Sequence, residues 1–83
     1  MTVKFYSGIS YLEIEEVDNA ITSFQSVINN KDNLFIEQAE WYLALCYLKL
    51  DNTKEAVKYF KKIAESDSFF NNKASEILKY LNK

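Results

Sequence analysis

Apolar side chains recur three or four residues apart along nearly the whole chain, which is the spacing of amphipathic α-helices. Polar breaks at Glu15–Glu16, Asp51–Asn52 and Ser66–Ser68 interrupt this pattern. Asn52, followed by Glu55, also has the spacing of a helix N-cap. The pattern therefore predicts an all-α chain with about five helices, at about residues 2–14, 17–30, 34–49, 53–65 and 70–82.

The third predicted helix is apolar nearly all round. Its sequence AEWYLALCYLKL, residues 39–50, contains only two charged side chains in twelve. A helix of this kind has to be covered on more than one side. The sequence therefore predicts a helix with at least two packing neighbours, one of which could belong to another molecule.

The chain repeats itself after 36 residues. The identities at this shift are Tyr6 with Tyr42, Tyr11 with Tyr47, Leu12 with Leu48, Ala20 with Ala56, and Phe24 with Phe60. Small residues also fall on small residues, since Gly8 matches Ala44. Each unit is predicted to form a pair of helices, because the apolar pattern breaks once in its middle.

Both units contain a small residue, a Tyr three positions later, an Ala nine positions after that and an aromatic residue four positions further on. The sets are Gly8, Tyr11, Ala20, Phe24 and Ala44, Tyr47, Ala56, Phe60. This pattern resembles the tetratricopeptide repeat. The resemblance implies a right-handed α-solenoid of antiparallel helix hairpins, with one repeat at about 2–32, a second at about 34–68 and a capping helix at about 70–82.

The chain departs from the family pattern at several places. Lys4 and Glu40 stand at the position of the family's Trp, and Glu15 and Asp51 at that of its loop Gly. The 36-residue shift between the two repeats is two residues longer than the family's usual spacing of 34, and we assign the two extra residues to the connection at 29–33. The final helix is expected to follow the second repeat at the usual spacing of 34 residues. Gly8, which costs roughly 1 kcal/mol inside a helix, predicts a close helix neighbour.

Composition limits the function. The 83 residues carry a net charge of −2, with no Arg and no His. Nucleic-acid binding is not expected, because such proteins concentrate positive charge and use Arg on phosphates. The longest apolar run, Trp41 to Leu48, is too short to cross a bilayer. The short array and the lack of a polar helix before the first one suggest a fragment of a longer protein or an oligomer.

No group of residues predicts catalysis. Without His, neither a triad nor a His general base can form, and Cys46 has no partner to activate it. The carboxylates of Glu13, Glu15 and Glu16 lack the spacing of a metal site. The lysines of the fourth helix are expected to form a solvated face. We therefore expect a protein that is not an enzyme and that carries no cofactor and no metal.

The resemblance implies that the first helices of successive repeats line a partner-binding groove. Carried over by motif, its residues are Phe5, Ile9, Leu12, Glu13, Gln38, Trp41, Leu45, Leu48, Lys49, Ser75 and Lys79. Family members that clamp the C-terminal carboxylate of a peptide use polar and basic residues on these helices. Here the early positions are apolar, so an amphipathic helix or an extended apolar segment is the expected ligand.

Two interpretations of this apolar surface remain open. It could bind a peptide or helix of a partner protein, which would make the chain an interaction module. Alternatively, it could serve assembly, by binding a second copy or by docking flanking repeats of its own polypeptide. The sequence favours neither interpretation strongly, and it names no partner.

Overall fold

The computed structural model describes residues 2–29 and 35–81, and within these ranges it contains helices and no strand. The five helices are α1 (Thr2–Glu13), α2 (Val17–Asn29), α3 (Ile36–Lys49), α4 (Thr53–Ala64) and α5 (Asn71–Leu81). The all-α class and the number of helices are confirmed. The predicted helix ends at 30, 34 and 82, and most of the connection at 29–33, lie outside the described residues.

Each helix packs mainly against its neighbours in sequence, so that α1–α2 and α3–α4 form hairpins and α5 rests on α4. The central helix α3 has α2 on one side and α4 on another. Residues of α1, α2 and α3 form a first core cluster, in which Leu43 and Cys46 are fully buried. Residues of α3, α4 and α5 form a second core cluster, in which Ala44 is fully buried. Helix α3 is apolar nearly all round because its own chain covers two of its sides.

Aromatic packing repeats between the two hairpins with nearly the same geometry. Phe24 of α2 is fully buried, and the ring of Phe5 meets it edge-on at 5.9 Å. Thirty-six residues later, Trp41 meets the fully buried Phe60 edge-on at 5.7 Å. Phe24 also stacks on Tyr42 of α3 at 5.6 Å, which joins the first hairpin to the second. The sequence repeat is therefore a repeat of packing as well.

Gly8 lies where α1 and α2 approach each other. A Cβ atom placed on this residue would lie 2.6 Å from Cε1 of the Phe24 ring. The aromatic ring therefore occupies the space that a side chain at residue 8 would need. This confirms the close helix neighbour that the sequence predicted.

Both hairpins turn through the same helix C-terminal motif. Glu15 has a left-handed backbone (φ 62°), and its N–H donates to the carbonyl of Leu12. The N–H of Glu16 donates to the carbonyl of Tyr11 at 2.8 Å. The same pair of bonds recurs around Asp51 (φ 59°). This is the Schellman motif, which usually places Gly at the left-handed residue because a Cβ is disfavoured there.

Glu15→Gly and Asp51→Gly are each expected to raise the free energy of unfolding by about 0.5–1 kcal/mol, because Gly adopts the left-handed backbone without a Cβ clash. Urea denaturation followed by far-UV circular dichroism measures this change. The control is Lys58→Gly at an exposed position in the middle of α4, which should lose roughly 1 kcal/mol because Gly is a poor helix former. Destabilisation by all three changes would show that the turns carry no such strain.

Two local predictions at α3 and α4 have clear structural outcomes. The side chain of Asn52 accepts a hydrogen bond from the N–H of Glu55, which confirms the predicted N-cap of α4. Glu40, at the position of the family's Trp, pairs with Lys62 of α4 at 2.6 Å, and its side chain is only 12% exposed. An ion pair between the helices thus stands where an aromatic residue would fill the space.

Helix α5 follows α3 with a spacing of 35 residues, one more than the sequence analysis assigned. Ala74 is fully buried, as is Ala39. The residues with which α3 packs on the first core cluster have counterparts on α5, 35 positions later, which pack on the second core cluster. Ala39, Tyr42, Leu43 and Cys46 correspond in this way to Ala74, Ile77, Leu78 and Leu81. The assignment of α5 positions to the groove changes accordingly.

Candidate functional site

Most of the apolar residues assigned to the partner-binding surface are partly buried. Ile9, Leu12, Trp41, Leu45 and Leu48 each pack against a core cluster and keep part of their area accessible. Phe5 differs from them, because it belongs to the first core cluster and is only 8% exposed. The structure therefore places Phe5 inside the protein, where it offers little area to a partner.

The rings of Phe5 and Trp41 are covered in the same way. Phe35, just before α3, stacks on Phe5 with ring centroids 4.8 Å apart. Phe70, just before α5, stacks on Trp41 at 5.0 Å and within 7° of parallel. Each of these rings is held by an aromatic residue that lies just before the second helix further along the chain, α3 for Phe5 and α5 for Trp41. Trp41 is therefore partly a structural residue, and its replacement would also reduce stability.

Apart from Trp41, four aliphatic side chains form the accessible apolar part of this surface. We call them the apolar strip: Ile9, Leu12, Leu45 and Leu48. Ile9 and Leu12 pack on the first core cluster, and Leu45 and Leu48 pack on the second. The strip therefore takes two side chains from each hairpin, and the core cluster beneath each pair holds it in place.

Polar residues border the apolar strip at both ends of the helices. Gln38 lies near the start of α3 and is partly buried, whereas Glu13 and Lys49 are exposed at the last residues of α1 and α3. Glu13 and Lys49 are 36 residues apart, so they hold equivalent positions in the two repeats, with opposite charges. The border carries both signs of charge and so favours neither an acidic nor a basic ligand.

Ser75 and Lys79 are both exposed on α5. With the 35-residue spacing, however, they correspond to Glu40 and Ala44, which face α4 in the second hairpin. The positions of Trp41 and Leu45 fall instead on Glu76 and on Tyr80, which is 78% exposed. We therefore expect any continuation of the apolar strip onto α5 to involve Glu76 and Tyr80.

Besides Tyr80, two exposed aromatic residues were not among the predicted site residues. Phe69, before α5, is 84% exposed, and its N–H donates to Oε1 of Glu37 at 3.1 Å. Tyr6 on α1 is 58% exposed, although its counterpart Tyr42 is partly buried. The 36-residue repeat contained the signal for Tyr6, since it pairs this residue with Tyr42, on which Phe24 of α2 stacks.

The buried thiol and the acidic side chains offer no reactive centre. Cys46 is fully buried, and this burial raises the pKa of its thiol to about 11, against a smaller lowering by Lys49. The thiol is therefore protonated near neutral pH, and solvent does not reach it. In the described part of the chain, no three His, Cys, Asp or Glu side chains come together as a metal site.

Comparison with known proteins identifies the repeats. A family model of the tetratricopeptide repeat matches residues 3–31 and 38–68. These two stretches coincide with the α1–α2 and α3–α4 hairpins. Searches of curated proteins and of solved structures gave no match. Within residues 2–29 and 35–81, no helix has the length and apolarity needed to span a bilayer.

Proposed function

The chain belongs to the tetratricopeptide repeat family, and from this premise we propose that it is a non-catalytic module that binds a partner protein on the apolar strip. Repeats of this family generally mediate protein–protein interaction. The proposed ligand is a helix, or an extended apolar segment, that lies across α1 and α3. Glu76 and Tyr80 of α5 would extend the contact at one end.

The apolar strip itself is the observation that supports this proposal. Its four side chains are only partly buried, so each keeps apolar area that a partner can contact. They are also anchored in the two core clusters, so that binding would immobilise few additional rotamers. A surface ordered in advance loses little conformational entropy on association, which raises the affinity for a given contact area.

The chemistry of the strip indicates what kind of segment fits it. An apolar row with polar borders matches an amphipathic helix that presents apolar residues at positions i, i+3 or i+4, and i+7. The opposite charges of Glu13 and Lys49 at one border leave the ligand's net charge undetermined. No cluster of basic groups for a terminal carboxylate is formed by the described residues of the strip and its borders.

The test uses Trp41 as an intrinsic probe, since it is the single Trp of the chain and lies beside the strip. Peptides of random sequence would be selected on the wild-type chain by phage display and then titrated while Trp41 emission is followed. We expect the selected peptides to carry helical apolar spacing. Leu45→Gln and Leu48→Gln should each weaken binding by about tenfold or more, as expected for central interface residues.

Val57→Gln is the matched control, because Val57 is also a partly buried aliphatic residue but lies on α4. It should leave peptide affinity unchanged. Far-UV circular dichroism of all three variants checks that they remain helical. Equal weakening by the α3 and α4 variants, or peptides that bind with no effect from either α3 change, would contradict the proposal.

A further inference from the structure

The side of α1 that faces away from α2 is exposed and carries two large apolar residues. Tyr6 is 58% exposed and Ile14, immediately after α1, is 63% exposed. Ser7 and Ser10 lie between them on the same side of the helix, and together with Tyr11 these four residues line one concave surface. We call these four residues the outer face of α1. It is separate from the apolar strip, which lies on another side of the helix.

The corresponding side of α3 shows how a solenoid covers such a face. There α2 packs on Leu43 and Cys46, both of them fully buried. On α1 the same two positions are Ser7 and Ser10. The outer face therefore lacks the central apolar side chains that a preceding repeat would bury. Its two large apolar residues, Tyr6 and Ile14, lie only at the ends of the face, where another molecule can contact them.

The pattern of the outer face is self-complementary. Tyr6 lies four residues before Ser10 and Ile14 lies four residues after it. In two antiparallel copies of α1 crossing at Ser10, Tyr6 of each copy therefore comes level with Ile14 of the other. Small side chains at the crossing point allow two helices to approach closely. A two-fold axis at Ser10 thus pairs the large residues and keeps the small ones at the centre.

Charge supports the same orientation. The exposed Lys4 lies near the start of α1, whereas exposed carboxylates lie at and just after its end, on Glu13, Glu15 and Glu16. An antiparallel pair brings Lys4 of each copy toward the acidic end of the other. A parallel pair would place like charges together at both ends, which is unfavourable.

We propose that the outer face of α1 is an isologous contact between two copies of this chain, with the α1 helices antiparallel and the two-fold axis at Ser10. A two-fold contact uses the same patch on both subunits, which the pattern around Ser10 satisfies. One helix face is small for an interface, so we expect a weak dimer with a dissociation constant of about 10–100 μM. The apolar strip stays free in this dimer, so partner binding and self-association are independent.

The first experiment traps the two-fold axis with a disulfide. Ser10→Cys should give a covalent dimer under mild oxidation, because residues on the axis can come within the Cα–Cα distance of about 4.4–6.8 Å that a disulfide needs. The native Cys46 is fully buried and does not compete. Ser75→Cys, at an exposed residue of α5, is the control and should cross-link at least about tenfold more slowly. Equal rates, or no cross-linking of either variant, would overturn the proposed geometry.

The second experiment measures self-association without a cross-link, by sedimentation equilibrium over a wide concentration range. Ile14→Lys should weaken the dimer about tenfold or more, since it places a charge against Tyr6 and near Lys4 of the other copy. Phe69→Lys also changes an exposed apolar residue, but outside α1, and should leave the dimer intact. A monomer at every concentration, or a dimer lost on Phe69→Lys or Leu45→Gln but not on Ile14→Lys, would overturn the proposal. Because Leu45→Gln also tests the apolar strip, the two proposals can fail separately.

Discussion

Phe24→Ala is expected to lower the free energy of unfolding by about 3–5 kcal/mol, the usual range for truncating a buried aromatic residue. The Phe24 ring is fully buried, meets Phe5 edge-on and stacks on Tyr42. Its removal would leave a cavity where α1, α2 and α3 meet. A domain of this length has a total stability of roughly 4–12 kcal/mol, so the variant should lose a large share of its stability and unfold at a much lower urea concentration than the wild type.

Urea denaturation followed by far-UV circular dichroism measures this loss. Phe69→Ala removes the same ring from a position that is 84% exposed, and should change stability by no more than about 0.5 kcal/mol. The pair separates the effect of burial from that of losing an aromatic residue. A loss below about 1 kcal/mol for Phe24→Ala would mean that Phe24 does not join the three helices.

Gly8→Val should have the second largest effect, a loss of about 2–3 kcal/mol, even though Val is a better helix former than Gly. The reason is steric, because a Cβ on residue 8 would lie 2.6 Å from the Phe24 ring. Either the ring or the helix has to move, and both are held by neighbouring side chains. The same denaturation measurement applies.

A double-mutant cycle identifies the clash as the cause. In the Phe24→Leu background the rigid ring is absent, so Gly8→Val should cost less than about half of its effect in the wild type. Lys4→Val introduces the same side chain at an exposed position of α1 and should stay within about 0.5 kcal/mol of the wild type. If Gly8→Val costs the same in both backgrounds, the Phe24 ring is not what excludes a side chain at residue 8.

The helices and their pairing could be predicted from the sequence because both depend on local patterns. A helix requires apolar residues three and four apart, which are close in the chain. The hairpin motif also lies within a few residues, since Glu15 and Asp51 occupy the same turn position in each unit. Gly8 predicted a close neighbour because a Gly inside a helix is unfavourable unless something fills its space.

The candidate site was less predictable, and the reasons are specific. The motif assigned Phe5 and Trp41 to the partner-binding surface, but Phe35 and Phe70 stack on them from outside the motif. On α5 the apolar stripe by itself is compatible with a spacing of 34 or of 35 residues. The buried position of Ala74 against α4 selects the second. The four residues of the apolar strip were all among those the sequence named, and their role in binding stays a prediction.

The sequence by itself determined an all-α chain of two repeated hairpins and a final helix. Helix periodicity and the spacing of small and aromatic residues involve only residues that are close together in the chain. Only the tertiary structure decided which side of α3 each apolar residue faces, and which aromatic ring covers another. Those outcomes depend on side chains about thirty residues apart in sequence, as with Phe5 and Phe35. Their contact follows from the angle at which whole helices pack, and no local pattern specifies that angle.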